Sequence, residues 1–368
     1  MRVCHVTSAH LRYDLRIFQK ECVSLAKAGY EVYLVVNDDI DDEVKDGVHI
    51  VSARYKYSGR IDRIFNSVKC ILRKAMDVNA EVYHLHDPEL LQIANNFLDS
   101  GKKVIFDAHE DTEMQILDKP YIPKLLRLPI AKVYTAFLNS RLRRITGIIS
   151  VTPSLIEKLK RLNKNTIMVT NYPILDTHIS FDGNGDSRGK YVFFAGGISE
   201  QWCHENIAAA AAQLKDIQYV FAGKGTEEYI EKICSIGDIN KIEYLGVIPH
   251  ERVAEYYEGA IAGMAICSAT QQVGHEGTLG NTKLFEIMKA GKPVICSDLR
   301  LWKEIVEEYQ CGICVNSNDV SAIVSAIMYI LSYPEEALIM GENGRRAVYE
   351  KYNWKSEEKK LLQLYESI

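Results

Sequence analysis

Short, β-branched apolar runs alternate with longer stretches whose apolar residues recur every three or four positions, from one end of the chain to the other. That alternation predicts strand–helix–strand units stacked around parallel sheets, an α/β fold. In the first half the strands read 2–8, 31–36, 48–53, 81–85, 103–107, 147–151 and 166–169, with amphipathic helices over 17–28 and 90–98 that close on Gly29 and Gly101. Residues 171–190 break the pattern with Pro, Gly, Asn and Asp and read as a linker. A second alternation follows: strands at 191–195, 218–222, 241–245, 261–268, 293–297 and 312–315, with helices at 206–214, 227–236, 251–258, 281–290 and 301–309. Three closing helices, 320–331, 335–352 and 355–367, exceed what one more unit needs, so the last is expected to cross back to the first domain. The predicted organisation is therefore 1–170 plus about 354–368, a linker at 171–190, and 191–353. Two doubly wound, Rossmann-like halves imply a central cleft, with ligands beyond the carboxyl ends of the strands.

Composition bounds the class. The chain has 368 residues, 47% apolar and 25% charged, which suits a globular protein with a large core and two domains. A net charge of −5 provides no global basic field for nucleic acid. The halves differ: residues 1–170 hold 26 Lys and Arg against 21 Asp and Glu, and the remainder 18 against 28. Nine cysteines stand singly, several in apolar runs, as expected of reduced thiols in a cytoplasmic protein; Cys311 and Cys314 lack the second pair that a metal site needs. Arg2, Arg12, Asp14 and Arg16 leave no room for a secretory leader, and no window suits a membrane span. Asp39-Ile-Asp41 reads as a solvated loop, Asp182–Asp186 as a turn too irregular for a calcium loop, and Ala208–Ala212 as a helix face for close packing.

Candidate chemistry concentrates in residues 274–298, GHEGTLGNTKLFEIMKAGKPVICSD. A Gly-rich loop follows an apolar strand and enters a helix whose first turn holds Asn281, Thr282 and Lys283. Free N–H groups there suit a phosphate, and Lys283 adds a point charge. Glu286 lies three residues on, near the same face, where a carboxylate can accept two ribose hydroxyls. The same residues also fit a plain helix start with a surface Lys–Glu pair.

Here the chain resembles the retaining, GT-B-fold nucleotide-sugar glycosyltransferases of family 4, also called glycosyl transferases group 1. The resemblance rests on Asn281, Lys283 and Glu286 followed by Ala290–Asp298, and on blocks in order along nearly the whole chain: 14–21, His86-Asp-Pro-Glu-Leu90, Asp107-Ala-His-Glu110, 171–173, Gly196-Gly197, 222–225, 245–246 and 352–354. It implies transfer of a sugar from a UDP- or GDP-sugar to a saccharide or lipid-linked acceptor, with retention, in glycan or cell-surface polysaccharide synthesis. No metal and no further cofactor are expected. The implied donor-binding residues are Gly196, Gly197, Lys224, Val247, Gly274, His275, Glu276, Gly280, Asn281, Thr282, Lys283, Leu284 and Glu286. Lys283 would also serve catalysis by holding charge on the leaving diphosphate, together with His109 beside the reacting sugar and Glu110 orienting it. The alternative for His109 is a strand-end residue that caps the next helix. Arg12, Asp14, Arg16, His86, Asp87 and Glu89, at the ends of first-domain strands, are expected to bind acceptor, with surface ion pairs the alternative for the first three. A 2-epimerase of the same fold, or a non-catalytic nucleotide-binding subunit, are the competing readings.

The chain departs from the family in two places. Thr278 stands where the first of two spaced glutamates is usual, and residues 196–206, GGISEQWCHEN, lack the usual Arg and Lys. Only His204 could supply charge there, so phosphate neutralisation would fall to Lys283, Lys224 or Arg16. Residues 119–144 hold seven Lys and Arg and no acid, interleaved with Leu, Ile, Tyr and Phe. Such a segment either lies on an anionic membrane surface, making the protein peripheral on the inner face, or packs as a solvated helix.

Overall fold

The computed structural model describes the chain except residues 60–61, 110, 120–121, 176–189, 239, 271–273 and 275. The described chain divides into two units, Met1–Asn171 with Trp354–Ile368, and Tyr172–Asn353.

The first unit holds eight strands: β1 (Arg2–Val6), β2 (Glu31–Val36), β3 (Glu43–Lys45), β4 (Val48–Ser52), β5 (Val82–Leu85), β6 (Lys103–Ala108), β7 (Gly147–Ser150) and β8 (Thr166–Met168). Their order across the sheet is β3-β4-β2-β1-β5-β6-β7-β8. All pairings are parallel except β3 with β4. That hairpin was not expected. Asp46 and Gly47 both take positive φ, 50° and 79°, which is the Asp-Gly turn that matches strand twist, and it was legible in the sequence. Central strands are buried on both faces, hence the continuous apolar runs.

The helix predicted at 17–28 starts earlier. Asp14 caps it, accepting from the N–H groups of Arg16 and Ile17, and Leu15–Cys22 is wound as a π-helix before α-helix Val23–Lys27. Helix Trp354–Glu366 belongs to this unit through polar contacts as well as apolar ones. Trp354 Nε1 donates to Ser24 Oγ at 2.9 Å, and the Thr170 N–H donates to Glu357 Oε2 at 2.7 Å. Among the described residues, no single helix is long and apolar enough to cross a membrane.

The second unit carries a parallel six-stranded sheet of β9 (Tyr191–Ala195), β10 (Gln218–Ala222), β11 (Ile242–Tyr244), β12 (Ala262–Ala265), β13 (Val294–Ser297) and β14 (Gly312–Val315), in the order β11-β10-β9-β12-β13-β14. The division between the units falls between Asn171 and Tyr172, at the start of the predicted linker 171–190. Lys20 Nζ holds Asn171 in the first unit, and Tyr172 is buried edge-on to Phe285 and Tyr352 in the second. Residues 176–189 of that segment, with the turn at Asp182–Asp186, lie outside the described residues. All nine cysteines are free, and Cys314 approaches Cys296 on the neighbouring strand, at 3.7 Å, in place of Cys311.

Candidate functional site

In the second unit the loops after β9 and β10 meet backbone to backbone. The Gly196 N–H donates to Ala222 O at 2.9 Å, that of Gly223 to Gly246 O at 2.8 Å, and that of Ile198 to Lys224 O at 2.9 Å. Only glycine allows this approach: Gly196 and Gly223 take φ of 148° and 143°, and a Cβ on Gly223 would overlap the Gly196 carbonyl. A Cβ on Gly196 would lie 2.6 Å from Lys283 Nζ.

Lys283 therefore sits directly on the glycine turn. Its Nζ is 3.9 Å from the Trp202 ring centroid and 5.4 Å from that of Phe194. It makes no ion pair among the described residues, and burial lowers its pKa to about 8. A largely buried ammonium held by aromatic faces and no carboxylate is a ready site for an anion. Trp202 was missed in the sequence because an aromatic residue seven positions past a strand carries no motif.

Glu286 stands on the same short helix, Lys283–Lys289, with little of its side chain exposed and its Oε1 4.0 Å from His250 Nε2. The helix is shorter than the predicted 281–290 because the Asn281 side chain accepts from the Lys283 N–H at 3.0 Å, and Thr282 becomes the boundary residue. That acceptance occupies one of the N–H groups expected to hold phosphate, so Asn281 acts as a cap. Leu284 is fully buried, leaving only its backbone for a ligand. The Gly280 N–H donates to Thr278 Oγ1 at 3.1 Å, and Glu276 is ion-paired with Arg300, so its carboxylate is already engaged. Lys224 and Val247 are exposed, Gly274 takes a positive φ of 57°, and Gly197 has open space about its Cα. His275 lies outside the described residues.

His204 cannot supply the missing charge. It is buried in the core with Nδ1 2.6 Å from Tyr219 OH, and burial, with Lys283 nearby, lowers it to about 3.

In the first unit the residues expected to bind acceptor turn inward. Every N–H of Arg12 is engaged: with Asp38 at 2.8 and 2.9 Å, Ile40 O at 3.1 Å, Asp41 O at 2.9 Å and Glu43 at 2.8 Å. It pins the β2–β3 connection, and Asp14 caps a helix. Asp87 accepts from Thr7 Oγ1 and the Ser8 N–H at 2.8 and 2.6 Å, and Glu89 from Ser8 Oγ and Arg63 at 2.9 and 3.0 Å. Arg16 is buried in a two-pronged pair with Asp107 at 2.8 and 2.9 Å and also donates to Val169 O, so it is not free for phosphate. His86 is buried among other histidines. These six side chains build the strand ends; their partners lie too far along the chain for spacing to reveal them.

His109 remains partly exposed, with Nε2 3.6 Å from Asp107 Oδ2 and no hydrogen bond. Burial lowers it to about 4, so the imidazole is neutral near pH 7. Its described carboxylate neighbour is Asp107; Glu110 lies outside the described residues.

Two Rossmann-like units, with a half-buried cation on a glycine turn that has no carboxylate partner among the described residues, define a protein of the GT-B architecture with a seat for an anionic group. The chain belongs to the family-4-type glycosyltransferases: the model described as Glycosyltransferase Family 4 matches residues 20–174, and that described as Glycosyl transferases group 1 matches residues 177–347. Among characterised relatives, a phosphatidyl-myo-inositol mannosyltransferase of Mycobacterium leprae is 22% identical over 85% of this chain and 81% of its own length. An uncharacterised glycosyltransferase of Methanocaldococcus jannaschii is 25% identical over 48% of this chain, which spans only 44% of that relative. Of solved structures, sucrose-phosphate synthase from Thermosynechococcus elongatus superposes with a TM-score of 0.79 at 18% identity, over 100% of this chain and 98% of that one. Anabaena HepE in complex with UDP and glucose gives 0.75 at 10%, covering all of both.

Proposed function

We propose that this glycosyltransferase takes its sugar from a nucleoside diphosphate sugar, UDP- or GDP-linked, and passes it with retention to a saccharide or lipid-linked saccharide in glycan or cell-surface polysaccharide synthesis. The observation that carries the donor assignment is Lys283, a half-buried cation on a glycine turn with no carboxylate partner among the described residues. Support also comes from the relative named a mannosyltransferase and from the HepE structure holding UDP. In this reading Lys283 and the Gly197 N–H stabilise the diphosphate as the bond from sugar C1 breaks and the acceptor oxygen takes its place. Glu286 accepts the ribose hydroxyls. Lys224, Val247, Gly274, Gly280 and Thr282 line the donor by backbone or exposed side chain. His109, being neutral, contributes a hydrogen bond to a sugar hydroxyl. The transfer step itself uses no metal.

The test is transfer of labelled sugar from UDP- and GDP-hexoses to an acceptor panel, with thermal stabilisation by UDP, GDP, ADP and CMP, where a ligand at 100 times its Kd adds about 2.7 kcal/mol. Glu286→Ala is expected to lose the preference for ribose over 2′-deoxyribose and 3′-deoxyribose nucleotides. An unchanged preference would contradict the ribose assignment.

For the acceptor, helix Lys124–Leu142 favours a membrane-borne substrate and a cytoplasmic, peripheral location. Leu125, Leu126, Leu128, Ile130 and Val133 are exposed, Leu125 by 92% and Val133 by 74%, beside exposed Lys124 and Lys132. Flotation with anionic vesicles is expected to retain the protein, and Leu125→Ser with Val133→Ser to release it. Equal recovery with and without anionic lipid would remove the membrane reading.

A further inference from the structure

Three histidines and a glutamate meet inside the first unit, away from the residues assigned to the donor. Parallel register makes His5 of β1 and His84 of β5 direct neighbours, and the two-residue strand period brings His86 to the same face. Glu21 comes from the π-wound helix Leu15–Cys22, a geometry often found at functional sites. All four side chains are completely buried. Glu21 Oε2 lies 3.9 Å from each of three nitrogens, His5 Nδ1, His84 Nδ1 and His86 Nε2. His5 Nδ1 and His86 Nε2 are 2.9 Å apart.

We propose that His5, His84, His86 and Glu21 form a closed site for one divalent transition-metal ion of the zinc class. Ligand atoms bound tetrahedrally at zinc's bond lengths of about 2.0–2.1 Å stand roughly 3.4 Å apart; the 2.9 and 3.9 Å separations given above lie on either side of that value, and all four ligand atoms fall within 4.8 Å of one another. Three imidazoles and one carboxylate are the donor set that suits zinc better than magnesium or calcium.

Two further observations point the same way. Neither Glu21 oxygen has a hydrogen bond, although both are buried. The nearest cation, Arg16, has its Nε 3.2 Å from Glu21 Oε1 but gives its hydrogen bonds to Asp107 and Val169. Two buried carboxylates thus share one guanidinium, and a bound dication supplies the missing positive charge. Second, Asp107 Oδ2 lies 3.6 Å from His86 Nδ1, on the ring edge opposite the nitrogen that faces Glu21. A carboxylate behind a metal-binding histidine is the usual outer support of such sites. Tyr365, from the returning helix Trp354–Glu366, closes the remaining side; its hydroxyl is hydrogen-bonded to His84 Nδ1 at 2.8 Å and lies 3.4 Å from His5 Nε2, so it turns to His5 Nε2 when His84 Nδ1 takes the ion. With four protein ligands and no exposed face, the ion would hold strands and helix together and take no part in transfer. The proposal is independent of the donor and acceptor assignments.

The alternative is a proton on Glu21. The two separate by metal analysis of the full chain purified without chelator, and by titrating chelator-treated protein with Co2+, whose visible bands report four-coordinate binding. About one zinc per chain and strong Co2+ bands are expected, with a fall in melting temperature when chelator is added. Glu21→Gln is expected to weaken Co2+ binding by at least the roughly 10–100-fold seen when only an outer partner is lost. Negligible metal and no bands in the unmutated protein would overturn the site and leave a protonated glutamate. Since His86, Asp107 and His109 also lie close enough to share an ion, His109→Ala is the control. Bands lost in His109→Ala but kept in Glu21→Gln would overturn the assignment as well.

Discussion

Lys283 and Glu21 are both charged groups held away from water, and their surroundings are opposite. Around Lys283 there are two aromatic faces, a glycine turn and, among the described residues, no paired anion. Around Glu21 there are three histidines, a second carboxylate and one guanidinium. A charge without a partner beyond the carboxyl ends of a sheet's central strands can wait for a ligand that brings the opposite charge. A charge sealed inside must be balanced by the groups that surround it, since desolvation in the interior costs several kcal/mol per ion. Adding up positive and negative residues would have ranked the two units the other way round, because the unit that seats the lone cation is the acidic half of the chain.

The contrast is broken most severely from its sealed side. Arg16→Met removes the one guanidinium between Glu21 and Asp107 and is expected to destabilise the fold by about 3–5 kcal/mol, measured by urea unfolding. A loss below about 1 kcal/mol would show that the carboxylates do not depend on it. On the open side, Lys283→Ala should leave unfolding nearly unchanged while lowering kcat/KM by roughly 10²–10³-fold, the range for deleting one preorganised partner of a developing negative charge. Comparable losses of stability at both positions would erase the distinction.

A smaller effect is expected from pH. Burial lowers Lys283 to about 8, so in the free protein its ammonium is present below that pH and lost above it. Affinity for nucleoside diphosphates should therefore fall as pH rises through 8, by at most about tenfold per unit, with a proton taken up on binding above pH 8. The Lys283→Met variant should bind weakly and without that slope. A flat titration of the unmutated protein from about pH 7 to 9 would detach Lys283 from the anion.

Much of the architecture was visible along the chain because a strand buried on both faces must be apolar throughout and a covering helix apolar on one side. The strands of both sheets, the short helix bearing Lys283 and Glu286, and an extra closing helix could all be read in this way. The β3–β4 hairpin was passed over although Asp46-Gly47 announced it, since the acidic residues before it suggested solvent. At the site, Lys283 was identifiable from its motif, whereas its seat on Trp202 was not.

Local sequence determined which segments are strands, where glycine turns fall and that a Lys–Glu pair opens a donor-side helix, because these depend on neighbours within a few positions. Which charged side chains are engaged was decided by the tertiary structure alone. Arg12 is joined to Asp38 and Glu43, Arg16 to Asp107, and Thr170 to Glu357, across 26 to 187 residues of chain. Such pairs form only after the sheet has brought its strand ends together, and ion pairing follows distance in space, which spacing along a chain does not encode.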